Sequence, residues 1–239
     1  MPQNEPATPA SDPLAAARQR RRGPEDTRER LLDAAERLFA ERGFEGASLR
    51  AVTQAAGTSV SAAHYHFGSK EALLAATIRR HAEPVLEARF ACLERLQRES
   101  GGRALPVEAV IDAFLRPTFE ERAAHANKGD AFRRIAARLF SDPPEVVASL
   151  KREVFGRTFE RFVGVLADAL PHKPRAEVAL DLQFLVGIMV HVMSGHLEDA
   201  PRVPGGGSLA DLSDEAVLRR MVAFVAAGLR APGAGEATR

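Results

Sequence analysis

Between Ser48 and Ser69 the chain is interrupted so often that any helix there is limited to about two turns. Ser48 is placed to cap a helix over 49–56 that Gly57 ends. Ser59 is placed to cap another reaching His66, and Gly68–Ser69 breaks the chain again. The positions that would face each other across the Gly57 turn, Val52, Thr53, Ala56, Ala62 and Ala63, are all small or compact. Small residues let two helices cross closely at a steep angle, which is the requirement of a helix-turn-helix. The second helix would then turn Val60, Ser61, His64 and Tyr65 outward. By pattern alone the alternative stays open, because short glycine-joined helices also occur in all-helical proteins that never touch DNA.

The flanks extend the same reading. Pro24, Glu25 and Asp26 form a helix start, since proline needs no N–H donor there and acids suit the positive helix end. Leu31, Leu32, Ala35, Leu38 and Phe39 follow at helical spacing, and Gly43 stands where a left-handed cap is wanted. Ser69 with Glu71 opens a long helix toward Arg98, with Pro84 as an expected kink. Leu38, Phe39, Phe44, Leu49, Phe67 and Leu73 are the candidate core of this first unit. Beyond Gly101–Gly102, helical segments are expected over 106–123, 130–140, 144–169, 175–197 and 214–230. Alternating strand patterns are lacking, so the fold class is all-α. The organisation expected is a disordered basic arm over 1–23, a helix-turn-helix domain over 24–72, a helical effector and dimerisation domain over 73–230, and a disordered tail over 231–239.

Composition removes several function classes. The formal net charge is only +1, so a nucleic-acid surface must come from local placement of basic groups. One cysteine, Cys92, leaves no intramolecular disulfide and no cysteine-rich zinc site; it reads as a packing residue rather than a redox switch. The N-terminal stretch lacks the apolar block of a secretory signal. The most apolar stretch, 178–197, is interrupted by Asp181, Gln183, His191 and His196 and reads as a buried helix, so a cytoplasmic protein with no membrane partner is expected. Gly205–Gly207 has no lysine after it and reads as linker, no HExxH or nucleophile-elbow sequence occurs, and His191 and His196 fall on different sides of a helix. An enzyme, a cofactor and a metal site are not expected.

The block TRERLLDAAERLFAERGFEGASLRAVTQAAGTSVSAAHYHFGSKEALL resembles the DNA-binding domain of the TetR family over its whole length. The likeness rests on Arg-Gly-Phe closing the first helix, the Ala-Ala-Gly turn, the Tyr-His-Phe triplet at 65–67 and Ser-Lys-Glu at 69–71. Thr58 and Ala63 depart from the bulkier aliphatics usual there, and His64 stands where many members have tyrosine. The resemblance implies a homodimer on a palindromic operator in double-stranded DNA, acting as a repressor released by a small apolar effector. It implies phosphate contacts from Ser48, Arg50, Tyr65, His66 and Lys70, with the Tyr65 ring packed on the domain. Ser59 caps the recognition helix, Ser61 and His64 are the candidates for base edges, and Val60 or Ala62 for a thymine methyl. The bland alternatives are satisfied surface histidines at His64 and His66 and a solvated face at Arg50. Arg18, Arg20, Arg21 and Arg22 read either as part of an unstructured tail or as a phosphate or minor-groove contact.

Residues 104–230 resemble the effector and dimerisation domain of the family, and the chain is nearest to its fatty-acid-responsive, PsrA-like branch through AAHYHFGSK, EPVLEARFACLERL, ARLFSDPPEVV and RFVGVLADALP. A fatty acid or acyl-CoA effector is what this implies. Phe114, Phe132, Phe155, Phe159 and Met189 are the candidate pocket residues, and Arg133, Arg134 and Arg138 are either an anchor for an acidic head or a solvated face. Two apolar stripes, Leu182, Leu185, Val186, Met189 and Met193, and Leu218, Met221, Val222, Val225 and Leu229, are the candidate dimer interface. The alternative for both is burial in their own core. The rival function is an all-helical ligand-binding protein or enzyme without DNA activity.

Overall fold

A computed structural model describes residues 24–124, 135, 145–195, 197 and 208–233. Those residues form eight helices and no strand: α1 (Pro24–Gly46), α2 (Leu49–Ala55), α3 (Val60–Phe67), α4 (Lys70–Ser100), α5 (Val107–Ala124), α6 (Glu145–Ala169), α7 (Arg175–Met193) and α8 (Asp214–Arg230), with a single 3-10 turn at Leu209–Asp211 before the last. The all-α expectation holds. The arm at 1–23, Phe132, the arginines at 133, 134 and 138, and nearly all of the segment expected over 130–140 lie outside the described residues.

Local chemistry explains most boundaries. Ser48, Ser59 and Ser69 each accept a hydrogen bond at Oγ from the backbone N–H three residues on, at 3.1 Å in every case, so α2, α3 and α4 all begin on a serine cap. Helix α1 loses helical geometry at Gly43, whose φ of 71° and ψ of 179° only glycine adopts without strain. Pro84 lies inside α4, which runs unbroken to Ser100. Helix α7 stops at Met193 instead of 197, because Ser194 caps it and Gly195 turns the chain at a φ of 83°.

Two hydrophobic clusters organise these helices. The first joins α1, α2, α3 and the N-terminal part of α4 through Leu31, Leu38, Phe39, Val52, Ala63 and Leu73, with Phe44, Leu49 and Phe67 packed on it. It does not stop at residue 72: Ile78 and Ala82 of α4 and Leu150 of α6 belong to it. The second joins the C-terminal part of α4 with α5, α6, α7 and α8 through Leu93, Ile111, Phe114, Phe162, Leu166, Leu182 and Leu229. Ion pairs from Arg116 to Glu215, Arg122 to Asp214 and Arg230 to Glu108 run along the α5–α8 contact.

The expected dimer stripes need correction. Leu182, Leu185 and Met193 on α7, and Leu218, Met221, Val225 and Leu229 on α8, are buried in the second cluster of the single chain. Val186, Met189 and Val222 pack against the same cluster. Both stripes face inward because α5, α6 and the other helix of the pair already cover them. What the two helices leave outward is Leu180 at 52%, Phe184 at 59% and Phe224 at 59% exposure.

Candidate nucleic-acid interface

The turn between α2 and α3 is built by backbone and one distant arginine. Gly57 sits at φ 61°, its N–H donates to Gln54 O at 3.2 Å, and Thr58 N–H donates to Thr53 O at 3.0 Å. Arg30, one helix away, donates from Nη1 to the carbonyls of Ala56 at 2.9 Å and Gly57 at 3.4 Å. Those are carbonyls that the end of α2 leaves without a helical partner, so Arg30 clamps the turn to α1. Sequence reading missed it, because nothing local marks one arginine among the several on α1 as turned toward a loop 26 residues on. Val52, Thr53, Ala56 and Ala63 are buried between the helices and Ala62 is half-buried, so the inner faces meet as their size allows.

The outer edge of α3 is the open surface. Val60, Ser61, His64 and Tyr65 are exposed, Tyr65 to 84%. Its ring therefore does not pack on the domain as expected; its ring neighbour is His66, edge-on with centroids 5.2 Å apart. His66 is half-buried between Tyr65 and Phe67. His64 Nδ1 lies 2.8 Å from the Gly68 carbonyl, a contact that holds the proton on Nδ1 and leaves Nε2 as a free acceptor in the neutral ring.

Cationic groups flank this edge rather than lie on it. Ser48 and Arg50 are exposed at the start of α2, and the Arg50 side chain makes no ion pair among the described residues. Because Ser48 and Ser59 use Oγ only as an acceptor for their caps, each hydroxyl still has its own hydrogen to donate outward. Lys70, expected as a phosphate contact, is held in place by a neighbour. Its Nζ donates to Phe44 O at 3.0 Å and stands 4.1 Å from the Phe44 ring centroid, stapling the start of α4 to the end of α1. Arg28 of α1 reaches the end of α3, 5.7 Å from the Phe67 ring centroid.

A compact three-helix unit with a serine-capped second pair and an open outer edge is found in many helix-turn-helix proteins, and comparison with known proteins narrows it. Residues 31–77 match the family described as bacterial regulatory proteins, tetR family, and residues 112–228 match the tetracyclin repressor-like C-terminal domain. The chain belongs to the TetR family. Among curated TetR-type relatives it is 42% identical over 64 residues to the HTH-type transcriptional repressor AcnR of Corynebacterium efficiens, covering 27% of this chain and 34% of that protein. It is also 42% identical over 105 residues to the HTH-type transcriptional regulator UidR of Escherichia coli K12, covering 38% of this chain and 54% of UidR. The chain thus spans about a third to about half of the length of these relatives. The fold extends further: the structure of the fatty acid degradation regulator FadR from Bacillus halodurans aligns with a TM-score of 0.57 at 17% identity, over 84% of this chain and 99% of that one. At that identity the likeness is one of fold alone.

Within the C-terminal TetR-like region the expected pocket residues separate. Phe114, Phe159 and Met189 belong to or pack on the second cluster, with the Phe114 and Phe162 rings edge-on at 5.1 Å. Phe155 packs instead on the first cluster beside Leu86 and Val154, since α6 crosses from one cluster to the other between Phe155 and Phe159. The residue that sequence reading missed here is Arg89 of α4, buried among Phe114, Thr118 and Met189. Its signal was present: Ile78, Ala82, Leu86, Arg89, Leu93 and Leu96 follow helical spacing, so an arginine occupies a place on the apolar stripe.

Proposed function

We propose that the protein is a ligand-responsive transcriptional regulator, a repressor that binds a palindromic operator as a homodimer and is released by a small apolar effector. The observation that carries this is the outward edge of α3. An edge holding an 84%-exposed tyrosine beside exposed Val60, Ser61 and His64, on a unit whose inner face is fully packed, has the shape a major groove accepts. In this reading Ser61 and His64 Nε2 meet base edges, the latter accepting from an adenine or cytosine amino group, while Val60 or Ala62 meets a thymine methyl. Ser48, Arg50, Ser59, Tyr65, His66 and Lys70 meet phosphates and sugars and set register.

The second copy of the chain is the proposed partner of the outward face of α7 and α8. Helix α7 is long and apolar enough to cross a membrane by length and composition, yet its inner stripe is buried in the bundle and Asp181 pairs with Lys173 at 2.7 Å. Leu180, Phe184 and Phe224 are left for a surface that a twofold partner would present in return. A cytoplasmic dimer presenting two α3 edges would meet half-sites about 34–36 Å apart or a multiple of it. For the effector, the PsrA-like segments favour a molecule with a long apolar part, a fatty acid or acyl-CoA, held within the second cluster.

Footprinting of ligand-free protein on the region upstream of its own or an adjacent gene tests the reading. Protection of a palindrome, with affinity falling steeply as salt rises, is expected. Monomers indifferent to every fragment would overturn it.

A further inference from the structure

We infer that Arg89 is the docking point for the head of a single-carboxylate, otherwise apolar effector, whose apolar part lies against Phe114, Phe159 and Met189. This deepens the effector reading above and rests on it.

Arg89 lies well along α4 and is 4% exposed. Its Nε donates to the Phe114 carbonyl at 2.7 Å, and its Nη2 donates to Thr118 Oγ1 at 2.9 Å and to Met189 Sδ at 3.3 Å. Its central carbon stands 3.9 Å from the Phe114 ring centroid. Every one of these partners is neutral, and among the described residues no carboxylate pairs with it. Lys173, the other buried cation of this cluster region, has Asp181 at 2.7 Å. Arg116 and Arg122, which are less buried, also hold acids. Among the described residues Arg89 stands apart in carrying a buried charge with no carboxylate against it.

An uncompensated buried guanidinium is strongly unfavourable and is retained where a counter-charge arrives or where the ion has a task. Desolvation pushes Arg89 down to about 9, so it remains protonated at neutral pH and carries its charge before any ligand comes. The partners also show where a ligand would attach. Nη1 has no acceptor among the described residues. Nη2 shares its hydrogens with a thioether, a weak acceptor on a flexible side chain. A carboxylate that takes Nη1 and displaces Met189 Sδ from Nη2 would form the two-pronged pair that the guanidinium fork favours, with Nε left on Phe114. Thr118 and Met189, the partners of Nη2, are half-buried, whereas Phe114, the partner of Nε, is buried. Phe159, also half-buried, belongs to the same cluster and offers apolar surface. The same geometry separates the two effector classes: a thioester carbonyl is neutral and leaves the charge uncompensated, whereas a free acid cancels it.

The test uses full-length protein and three probes of equal chain length below their aggregation limits: octanoate, methyl octanoate and octan-1-ol, each measured by calorimetry and thermal shift. Octanoate should bind at least tenfold tighter than the ester or the alcohol, and Arg89→Met should reduce that ratio to near one. Arg89→Lys, which keeps the charge but loses the fork, should fall between. Equal affinity of wild type for acid and ester, no stabilisation by octanoate, or an acid preference that survives Arg89→Met would each overturn the inference. The wild-type comparison stands even if a variant fails to fold. Gel shifts of ligand-free protein report separately on DNA binding: an operator complex without an acid preference sinks only the Arg89 assignment, and an acid preference without any operator complex sinks only the regulator reading.

Discussion

Replacing Gly57 isolates the strain of the α2–α3 turn from any question of space. At φ 61° a side chain is strained whatever surrounds it, and the atom nearest a Cβ added there is Arg30 Nη1 at 3.8 Å, an ordinary contact. The whole penalty of Gly57→Ala is therefore torsional, about 1–2 kcal/mol for a left-handed alanine. Alanine also restricts the unfolded chain, which returns about 0.4–1 kcal/mol. The net expectation is a loss of about 1 kcal/mol. Gly57→Asn should lose less, because a short polar side chain tolerates this region better. Gly156→Ala supplies the opposite sign: it lies within α6 with no atom within 4 Å of the added Cβ, so filling it should stabilise by about 0.5–1 kcal/mol. Urea midpoints read by far-ultraviolet circular dichroism measure all three, since the chain has no tryptophan and its one tyrosine is exposed. A Gly57→Ala protein as stable as wild type, or less sensitive than Gly57→Asn, would refute the argument.

Three further outcomes follow from the same geometry. Phe184→Asp combined with Phe224→Asp removes apolar burial of about 1.5–3 kcal/mol per side chain from a twofold contact, and should yield folded monomers in sedimentation, whereas Leu182→Asp should unfold the chain; unaltered dimers in the double variant would exclude that face. Tyr65→Phe deletes one hydroxyl without disturbing packing, so binding to operator and unrelated DNA should weaken together by about 1 kcal/mol, or several-fold, and a gel shift with no change removes the phosphate role. The carboxyl of Glu108 is held below its ordinary range, first by the Arg230 hydrogen bond and then by its backbone contact. Its stabilising share is present above the unfolded-state value and disappears as pH falls through the folded one, so Glu108→Gln should flatten the acid limb of the melting curve below about pH 4.5, and an unchanged limb would discount the pair.

What could be read from the residues divides by range. Serine caps and positive-φ glycines act within four residues, and Ser48, Ser59, Ser69 and Gly57 all do in the structure what local rules require, whereas Gly43 interrupts α1 at a positive φ with an extended ψ instead of closing it with a left-handed cap. The bond from Lys70 to the Phe44 carbonyl, 26 residues away, lies beyond the reach of such local rules. The α7 and α8 stripes mislead for a deeper reason. A run such as Leu218, Met221, Val225 and Leu229 states that one helix face is buried and says nothing of what buries it. The outward Phe184 and Phe224 are single apolar residues off the main stripe, and only the placement of α5 and α6 reveals which set is left over.

Both α4 and α6 pass from one cluster into the other, so the two halves of the molecule share two continuous helices rather than a linker. Arg79 of α4 and Glu153 of α6 pair across them, and Lys70, at the start of α4, is stapled to the end of α1. Arg89 stands 19 residues along the same helix, about 28 Å from Lys70 at helical rise. On the proposed reading, a displacement of α4 at Arg89 would travel along this one helix to the unit that holds α3. The energetic demand is modest, since a tenfold loss of operator affinity needs a ligand that prefers the released conformer by only about 1.4 kcal/mol. Neutralising a buried guanidinium is a term of at least that size, and it can drive release only if the two conformers present Arg89 differently. That requirement makes the charge of residue 89, rather than the bulk of the apolar tail, the quantity on which coupling between effector and DNA should depend.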